Sequence, residues 1–301
     1  MAGIYIHIPF CTKACHYCDF HFSTSLKNKT HLIEAILSEI EIRKNYLKGE
    51  LIETIYFGGG TPGLLSKKEL SAILEKIYRL HSIKKDAEIT LEVNPENISA
   101  KYIKEIKPLG VNRLSIGVQS FFDEHLKWMN RSHSAKQAFS SIKTAQDGGI
   151  ENITIDLIYG FSKLTTNQWK ENIDKVIALN IPHFSAYCLT VEPKTALAKL
   201  VSKDTALIPK DETSLKHFNL LIEKARHHNF IHYEISNFAK ENAFSRHNSS
   251  YWKGAKYIGI GPSAHSFDGL SRQWNIKNNN LYIKSISSNK PFYEKETLTT
   301  K

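Results

Sequence analysis

The sequence has little cysteine, no long apolar run and no leader-like start. Only four of its 301 residues are cysteines, which excludes the disulfide-dense scaffolds of small secreted proteins. No apolar run is long enough to span a bilayer, so no transmembrane segment is expected. The opening residues, MAGIYIHIPF, lack the basic region that begins a signal peptide. Together these absences predict a protein of the reducing cytoplasm.

Acidic residues are outnumbered by basic ones. The chain has 40 Lys and Arg against 30 Asp and Glu, which gives a net charge of +10. The basic residues are scattered along the sequence, and this favours an ordinary solvated surface over an anionic partner. No basic–aromatic cluster supports RNA or DNA binding, so no nucleic acid partner is expected. With 41% hydrophobic and 23% charged residues, the composition is typical of a globular protein with one large core or two modest ones.

Three of the four cysteines stand close together near the N-terminus. Cys11, Cys15 and Cys18 have the spacing C-x3-C-x2-C, whereas Cys188 lies far along the chain. A thiolate group this dense in a reduced protein typically holds an iron–sulfur cluster. A [4Fe-4S] cluster takes four ligands, so three cysteines would leave one iron open to a non-protein ligand. We therefore predict these three cysteines as metal ligands.

The three clustered cysteines allow two alternatives to an iron–sulfur cluster. A disulfide with one unpaired thiol is disfavoured, because nothing in the sequence directs the chain to an oxidising compartment. A zinc site stays open, with His7, His16 or His21 as the fourth ligand. The cysteine segment nevertheless resembles the signature of the radical S-adenosyl-L-methionine (SAM) superfamily. That resemblance implies SAM bound to the open iron through its amino and carboxylate groups.

Strand-like apolar runs alternate with helix-like stretches as far as residue 189. Strands are predicted over 4–8, 54–57, 88–93, 113–118, 153–158 and 183–189, and helices over 30–46, 66–80, 100–106, 122–129, 135–147 and 167–179. Parallel strands joined by right-handed helical crossovers curl into a full or partial barrel. We expect an α/β fold with a partial (βα)6 TIM-like barrel of the radical SAM type.

The rhythm changes near residue 205. A long helix is predicted over 211–228 and a strand over 233–238, followed by a loop-rich stretch. We therefore place a core barrel with the cluster loop in residues 1–205 and a C-terminal α+β accessory region in residues 206–301. The resemblance implies a further helical region in longer relatives, so either the accessory region is truncated at Lys301 or the lineage is a short one.

Polar residues and glycines follow the predicted strands, at the end where barrel active sites assemble. The glycine run 58–60 makes a tight turn or lets the backbone approach a ligand closely. Glu92 and Gln119 end the third and fourth strands. Arg131 either pairs with a ligand carboxylate or lies on the surface. Asp156 lies inside an apolar strand, where a carboxylate needs a ligand or a basic partner.

The chain as a whole resembles the oxygen-independent coproporphyrinogen III oxidase group. YIHIPFC, GGGTP, EVNPE, SIGVQS, an Asn-Arg pair and IDLIYGF occur in that order, and the resemblance covers nearly the whole chain. It implies SAM contacts from Tyr5, Tyr17, Gly59, Gly60, Thr61, Glu92, Gln119, Arg131 and Asp156.

Two features divide this group. Coproporphyrinogen dehydrogenases have a further cysteine two residues after the third, where this chain has Phe20. The branch of HemW-type heme chaperones has Phe there and an HNxxYW motif, matched here by HNSSYW at residues 247–252. The resemblance implies a heme chaperone that binds heme and transfers it to acceptor proteins, with a SAM-ligated [4Fe-4S] cluster. The alternative is an oxygen-independent coproporphyrinogen III dehydrogenase, so whether the chain is an enzyme stays open. A tRNA-modifying radical enzyme is a third class.

The HNSSYW motif suits heme chemically. A neutral imidazole is a common axial ligand of heme iron, so His247 is expected as an iron ligand or its near neighbour. Tyr251 and Trp252 offer flat apolar faces for a porphyrin edge. Alternatively, both aromatics belong to the core and His247 caps a turn. His265 is a second candidate ligand. Heme-requiring membrane enzymes are the expected acceptors, since a basic protein suits the anionic cytoplasmic face of a membrane.

Overall fold

A single sheet organises the chain. The structure is a computed structural model and describes residues 2–299, within which twelve strands form one hydrogen-bonded sheet. Its middle consists of six parallel strands in chain order: β1 (Ala2–Ile8), β2 (Ile52–Gly59), β3 (Ile83–Val93), β4 (Arg113–Gln119), β5 (Ile153–Tyr159) and β6 (His183–Cys188). The two edge strands of the described sheet do not pair, so the barrel stays open. The predicted partial (βα)6 barrel is confirmed.

Helices connect the parallel strands and pack on one side of the sheet. They are α1 (Lys29–Ile42), α2 (Lys67–Leu80), α3 (Ala100–Ile106), α4 (Asp123–Trp128), α5 (Ala135–Asp147) and α6 (Thr166–Ala178). A capping box is present at the start of α2, where Ser66 and Glu69 satisfy each other's backbone N–H groups. Neighbouring helices touch one another, as in the outer layer of a barrel.

The two faces of the sheet differ because side chains alternate along each strand. Apolar residues such as Ile4, Ile6 and Phe57 belong to the continuous core beneath the helices. The opposite face lines the interior of the open barrel, which we call the lumen. It carries polar side chains, among them Thr54, Glu92, Arg113, Asp156 and His183. A polar lumen of this kind is ready to hold a polar ligand.

The residues after β6 extend the same sheet on both sides of the parallel strands. In the order of the chain the elements are α7 (Ala196–Val201), α8 (Asp211–His227), β7 (Ile231–His232), β8 (Asn237–Ala239), α9 (Arg246–Trp252), β9 (Lys256–Ile260), β10 (His265–Phe267), β11 (Ser271–Asn275), α10 (Asn279–Ser287) and β12 (Tyr293–Thr297). β8 lies antiparallel to β6, whereas β9 lies parallel to β1 on the other edge. The strand predicted over 233–238 is shorter and later than expected, because residues 233–236 form a turn before β8. The domain boundary near residue 205 stays a prediction.

A buried charged group ties α1 to the C-terminal strands. Glu39 is fully buried and accepts a hydrogen bond from Arg43 at 3.0 Å. Arg43 also donates to the Gly259 carbonyl at 2.9 Å, and the Asn275 amide donates to Glu39 at 2.8 Å. Each charge is thus paired inside the protein, which is the condition for keeping it there.

A helix must be both long and apolar to span a bilayer. No helix within residues 2–299 combines the length and apolarity needed to cross a membrane.

Candidate functional site

The three clustered cysteines lie in the loop that follows β1. Cys11, Cys15 and Cys18 are free thiols and partly exposed. The backbone N–H of Cys11 donates to the Ser23 carbonyl at 3.0 Å, and that of Cys18 donates to the Cys15 carbonyl at 3.3 Å. These bonds curl the loop so that it presents its thiols at the carboxyl end of β1, where barrel active sites form.

A single-ion site does not form around these thiols. Within residues 2–299, no three His, Cys, Asp or Glu side chains are grouped so that they could hold one metal ion. The three histidines considered for zinc bond elsewhere: His7 to the His21 carbonyl, His16 to the Trp128 carbonyl and His21 to the Asn279 side chain. In a four-iron cluster each thiolate binds its own iron, so the three sulfurs need not meet at one point.

Burial and hydrogen bonding act in opposite directions on the thiols. Burial raises the pKa of Cys11 and raises that of Cys18 to about 12. Thr61 donates to the Cys11 sulfur at 3.7 Å, and Arg131 donates to the Cys15 sulfur at 3.3 Å. The Thr61 bond opposes the effect of burial and lowers the pKa of Cys11, whose thiolate is the form that binds iron. Loading a metal here therefore releases protons.

Arg131 is held in place by the ends of two strands. Its Nη2 atom donates to the Asn94 side-chain oxygen at 2.6 Å and to the Gly117 carbonyl at 2.7 Å. Its Nε atom is buried and has no hydrogen-bond partner within the described chain. The guanidinium is thus pre-oriented at the edge of the cysteine loop, with one donor left for a ligand. The alternative of a surface arginine is excluded.

The glycine turn after β2 brings its backbone against the cysteine loop. Gly60 donates its N–H to the Ile8 carbonyl at 3.0 Å, and Thr61 donates to the Phe10 carbonyl at 2.7 Å. A Cβ atom on Gly60 would lie 2.7 Å from the Phe10 oxygen, and Gly59 has a φ of +110°. Only glycine fits both positions, so the turn and the loop form one unit.

Two carboxylates, from β3 and β5 on either side of β4, point into the lumen below the cysteines. Glu92 accepts the Tyr56 hydroxyl at 2.8 Å and the Gly59 N–H at 3.2 Å. Burial raises the pKa of Glu92 to about 7 and raises that of Asp156 as well. Ser115 donates to Asp156 at 3.3 Å. Acceptors with spare lone pairs in a desolvated lumen are suited to ligand hydroxyl or ammonium groups.

The remaining predicted SAM contacts border the same space. Gln119 ends β4 with a φ of +66°, which is uncommon for a residue other than glycine. Its amide and Arg131 would crowd any side chain at Gly117. Tyr17 packs against the core under the cysteine loop, and burial raises the pKa of its hydroxyl. Tyr5 lies in the lumen on β1, where its hydroxyl meets His7 Nδ1 at 3.2 Å. Seven of the nine residues lie at the carboxyl ends of the strands or in the loops that follow them, whereas Tyr5 and Asp156 lie midway along β1 and β5.

His247 lies at the other end of the barrel. It is only 1% exposed, and its imidazole approaches Gly3 near the start of β1. The cysteine loop begins after Ile8, so about 16 Å of extended strand separates the two ends. The backbone N–H of His247 donates to the Glu88 carboxylate at 3.0 Å, and this bond anchors the start of α9 to β3.

Both ring nitrogens of His247 are engaged. Nδ1 lies 2.8 Å from the Thr54 hydroxyl and Nε2 lies 2.9 Å from the Tyr251 hydroxyl. The ring also stacks on Tyr56 with centroids 5.0 Å apart. Burial lowers the pKa of His247 to about 3, so the imidazole is neutral at pH 7. In this arrangement neither nitrogen is open to an iron, and the predicted role as an iron ligand or near neighbour stays a prediction.

Comparison with known proteins identifies the chain's relatives. Residues 5–176 match the sequence profile of the Radical SAM superfamily. The heme chaperone HemW of Bacillus subtilis is 36% identical over 304 residues, covering 100% of this chain and 80% of the relative. The heme chaperone HemW of Escherichia coli is 35% identical over 266 residues, covering 87% and 69% of the two chains. The chain belongs to the HemW family of the radical SAM superfamily.

A solved structure shares the fold. Coproporphyrinogen III oxidase (HemN) from Escherichia coli, described as a radical SAM enzyme, superposes with a TM-score of 0.87. It is 25% identical in sequence, and the match covers 99% of this chain and 72% of that one. Membership of the radical SAM superfamily agrees with the donor set at the cysteine end, where three thiols, a pre-oriented arginine and two lumen carboxylates lie together.

The motif that marks the HemW branch ends in two exposed aromatic residues. Tyr251 is 40% exposed and Trp252 is 63% exposed, both in the last turn of α9. The alternative in which both are core aromatics is therefore wrong. Phe20, which marks the same branch, is 69% exposed in the cysteine loop. His265 is exposed at the start of β10, and its role stays a prediction.

Three lumen residues were missed in the sequence. Thr54 and Tyr56 alternate with Gly58 along β2, so the period of two could have placed them on the ligand face. Arg113 is 1% exposed and donates to Thr154, while its Nε and Nη1 atoms have no partner among the described residues. It has no sequence signal, because a charged residue at the start of a strand usually faces water.

Proposed function

We propose that this chain is a heme chaperone, which binds heme at the Tyr251–Trp252 end of the barrel and transfers it to acceptor proteins. The observation that carries this proposal is the distance between the two ends. Radical chemistry at a cluster acts on a substrate next to it, whereas the exposed aromatic pair lies on α9, at the opposite end of the strands from the cysteines. Heme bound there is carried and not transformed.

The cysteine end supplies the cluster site. Cys11, Cys15 and Cys18 would hold a [4Fe-4S] cluster, and Arg131 stabilises the thiolate of Cys15 by a charge-assisted hydrogen bond. When bound, the cluster offers an open iron to the amino and carboxylate groups of SAM. The spare Nε donor of Arg131 suits that carboxylate, and Glu92 suits hydroxyl groups of the ligand. Tyr5, Tyr17, Gln119 and Asp156 close the sides of this site.

The heme end supplies apolar surface. Tyr251 and Trp252 present flat rings on adjacent positions of a short helix, and an exposed aromatic pair gains free energy by covering a porphyrin face. His247 lies directly behind Tyr251 and positions its hydroxyl. We infer that His247 is the near neighbour of the heme and not its iron ligand.

The proposed acceptors are heme-requiring membrane enzymes. The net charge of +10 favours brief attraction to anionic lipid at the membrane surface. We propose a cytoplasmic location, since a partly exposed iron–sulfur cluster requires a reducing compartment.

Heme titration tests the chaperone function. The chain, reconstituted with its cluster, should develop a Soret band on addition of heme, and Trp252→Ala should bind more weakly with its iron content unchanged. Leu281→Ala, which removes an exposed apolar side chain from α10, is the matched control. A wild-type chain with an intact cluster and no Soret band would overturn the proposal.

Axial ligation has its own test. His247→Ala should weaken heme binding without moving the Soret maximum, because the iron ligand is unchanged. A shifted maximum would make His247 the ligand. If the maximum moves only in His265→Ala, His265 is the ligand.

A coproporphyrinogen III dehydrogenase is the second candidate. The TM-score of 0.87 to the coproporphyrinogen III oxidase (HemN) of Escherichia coli favours it. The deciding assay supplies coproporphyrinogen III, SAM and a low-potential reductant and measures protoporphyrinogen IX. Turnover would establish the enzyme and displace the chaperone. We expect none.

A further inference from the structure

Four aromatic rings form a continuous column inside the lumen, which we call the lumen column. Tyr5 stacks on Tyr56 with centroids 6.0 Å apart, and Tyr56 stacks on His247 at 5.0 Å. The His247 ring meets the edge of Tyr251 at 5.2 Å. The four members come from three elements: Tyr5 from β1, Tyr56 from β2, and His247 and Tyr251 from the start and the last turn of α9. Packed side chains of this kind transmit small displacements because interiors are close-packed.

The lumen column ends at a candidate ligand site on each side. At the cysteine end, Tyr56 donates its hydroxyl to Glu92 Oε1 at 2.8 Å. At the other end, the Tyr251 hydroxyl lies 2.9 Å from His247 Nε2, while 40% of the residue is exposed to solvent. The buried imidazole therefore stands between a carboxylate expected to contact SAM and a tyrosine expected to contact heme.

The two hydrogen bonds of His247 depend on each other. A neutral imidazole has one N–H donor and one bare acceptor nitrogen, so the partners Thr54 and Tyr251 take opposite roles. If the Tyr251 hydroxyl turns outward, Nε2 is left without a partner in a buried site, which is unfavourable. An outward-turned Tyr251 would therefore be less stable than the inward state, bonded to His247, that the structure shows.

We propose, on the basis of the heme-binding function above, that the lumen column couples SAM at the cysteine end to heme at the Tyr251–Trp252 end. A ligand that takes Glu92 Oε1 competes with the Tyr56 hydroxyl and shifts its ring. The Tyr56 ring lies against His247, so the shift changes how firmly His247 holds Tyr251. SAM thereby biases Tyr251 between the inward and the outward state, and heme binds one of them more tightly. His247 acts as a positioning residue.

The test measures heme affinity with and without SAM on protein that carries the same cluster. We expect SAM to change the Kd of heme by about fivefold or more, the lower range of allosteric coupling. Coupling is reciprocal, so heme should change the Kd of SAM by the same factor. Tyr251→Phe keeps the exposed ring and removes only its hydroxyl. Thr54→Val removes the other bond of His247 inside the lumen. In both variants the heme Kd should become independent of SAM.

Tyr257→Phe is the matched control. Tyr257 packs its ring against Tyr251 at 4.7 Å on the side away from the lumen column's other members, so this variant should keep the full coupling. If the bonds of His247 only supported the fold, Tyr251→Phe and Thr54→Val would weaken heme binding equally with and without SAM. The ratio of these two heme Kd values would then be the same as in the wild type.

The outcomes separate the two proposals. If the wild type binds heme and SAM does not alter its Kd, the coupling is overturned and the chaperone function stands. If coupling survives in both Tyr251→Phe and Thr54→Val, the lumen column is not its route and the inference fails. If the wild type with an intact cluster binds no heme, the chaperone function and the coupling fail together.

Discussion

The Nη1 atom of Arg131 donates a hydrogen bond to the Cys15 sulfur across 3.3 Å. The two residues are 116 positions apart, and Arg131 is carried there by the loop that leads from α4 to α5. This contact joins the cysteine loop to the carboxyl end of β4. It makes the arginine part of the thiol environment before any ligand arrives.

Replacing Arg131 with Met should weaken SAM binding. The variant loses a charge-assisted donor, and such bonds contribute about 1.5–3 kcal/mol, which corresponds to roughly 10- to 150-fold in Kd. The measurement is a SAM titration followed by the electron paramagnetic resonance signal of the reduced cluster. Arg79→Met removes an exposed arginine of α2 and should leave the Kd unchanged. Equal affinities in both variants would contradict the assignment.

Iron content tests the three cysteine ligands one at a time. Anaerobic reconstitution of the wild type should give about four irons and four sulfides per chain. Serine at position 11, 15 or 18 should reduce this sharply, because a hydroxyl is a poor ligand for iron in a cluster. Cys188→Ser should retain the full iron content, since Cys188 ends β6 and lies outside the C-x3-C-x2-C segment. Two irons per chain, or tightly held zinc, would contradict the cluster.

Glu92 should give the ligand-free chain a specific pH dependence. Its folded-state pKa of about 7 lies above the ordinary carboxyl value, so the folded chain binds more protons than the unfolded chain between the two values. Its contribution to the free energy of unfolding therefore falls as the pH rises through this window. Glu92→Gln lacks this contribution. The difference in the free energy of unfolding between the variant and the wild type should therefore change by up to about 1.4 kcal/mol per pH unit.

Urea unfolding from pH 4 to pH 8 measures that difference. Glu171→Gln, at an exposed position of α6, is the control and should follow the wild type throughout. Tyr56→Phe should raise the folded-state pKa of Glu92 and so extend the window to higher pH, because the Tyr56 hydroxyl stabilises the charged carboxylate. A Glu92→Gln curve parallel to wild type would show that the carboxyl titrates normally.

Arg43→Met should destabilise the whole fold. It leaves Glu39 buried without its charge partner, and breaking a buried ion pair costs about 3–5 kcal/mol. Lys44→Met changes the neighbouring exposed residue of the same helix end and should alter the free energy of unfolding little. Glu39→Leu combined with Arg43→Met should recover part of the loss. Equal stability of Arg43→Met and Lys44→Met would contradict the structural role of the pair.

The sequence predicted the cysteine end of the barrel better than the opposite end. Cys11, the glycine turn and Glu92 follow successive parallel strands, and the carboxyl ends of such strands meet at one edge. The alternation of strands and helices was therefore enough to bring them together. The spare donor of Arg131 depends on side-chain orientation, which no local pattern encodes.

The position of His247 could not be predicted. It depends on β9 pairing with β1, two strands more than 240 residues apart, and pairing at that separation leaves no local signal. The prediction of His247 as an iron ligand or its near neighbour did not say where the motif lies in the fold. The structure shows His247 buried against Thr54, the next three residues partly exposed, and Tyr251 and Trp252 exposed. One short helix thus serves both the lumen and the surface.

The chain passes from β8, which lies beside β6, to β9, which lies beside β1 on the other side of the parallel strands. The segment between them is fixed on both sides: the Ser245 N–H donates to the Tyr233 hydroxyl at 3.3 Å, and that hydroxyl meets His183 of β6 at 2.7 Å. On the other side, the His247 N–H donates to Glu88 of β3. These hydrogen bonds fix the segment across the base of the open barrel, which is the end opposite the cysteines. Widening the open barrel at this base would therefore break hydrogen bonds on the sides of both β6 and β3.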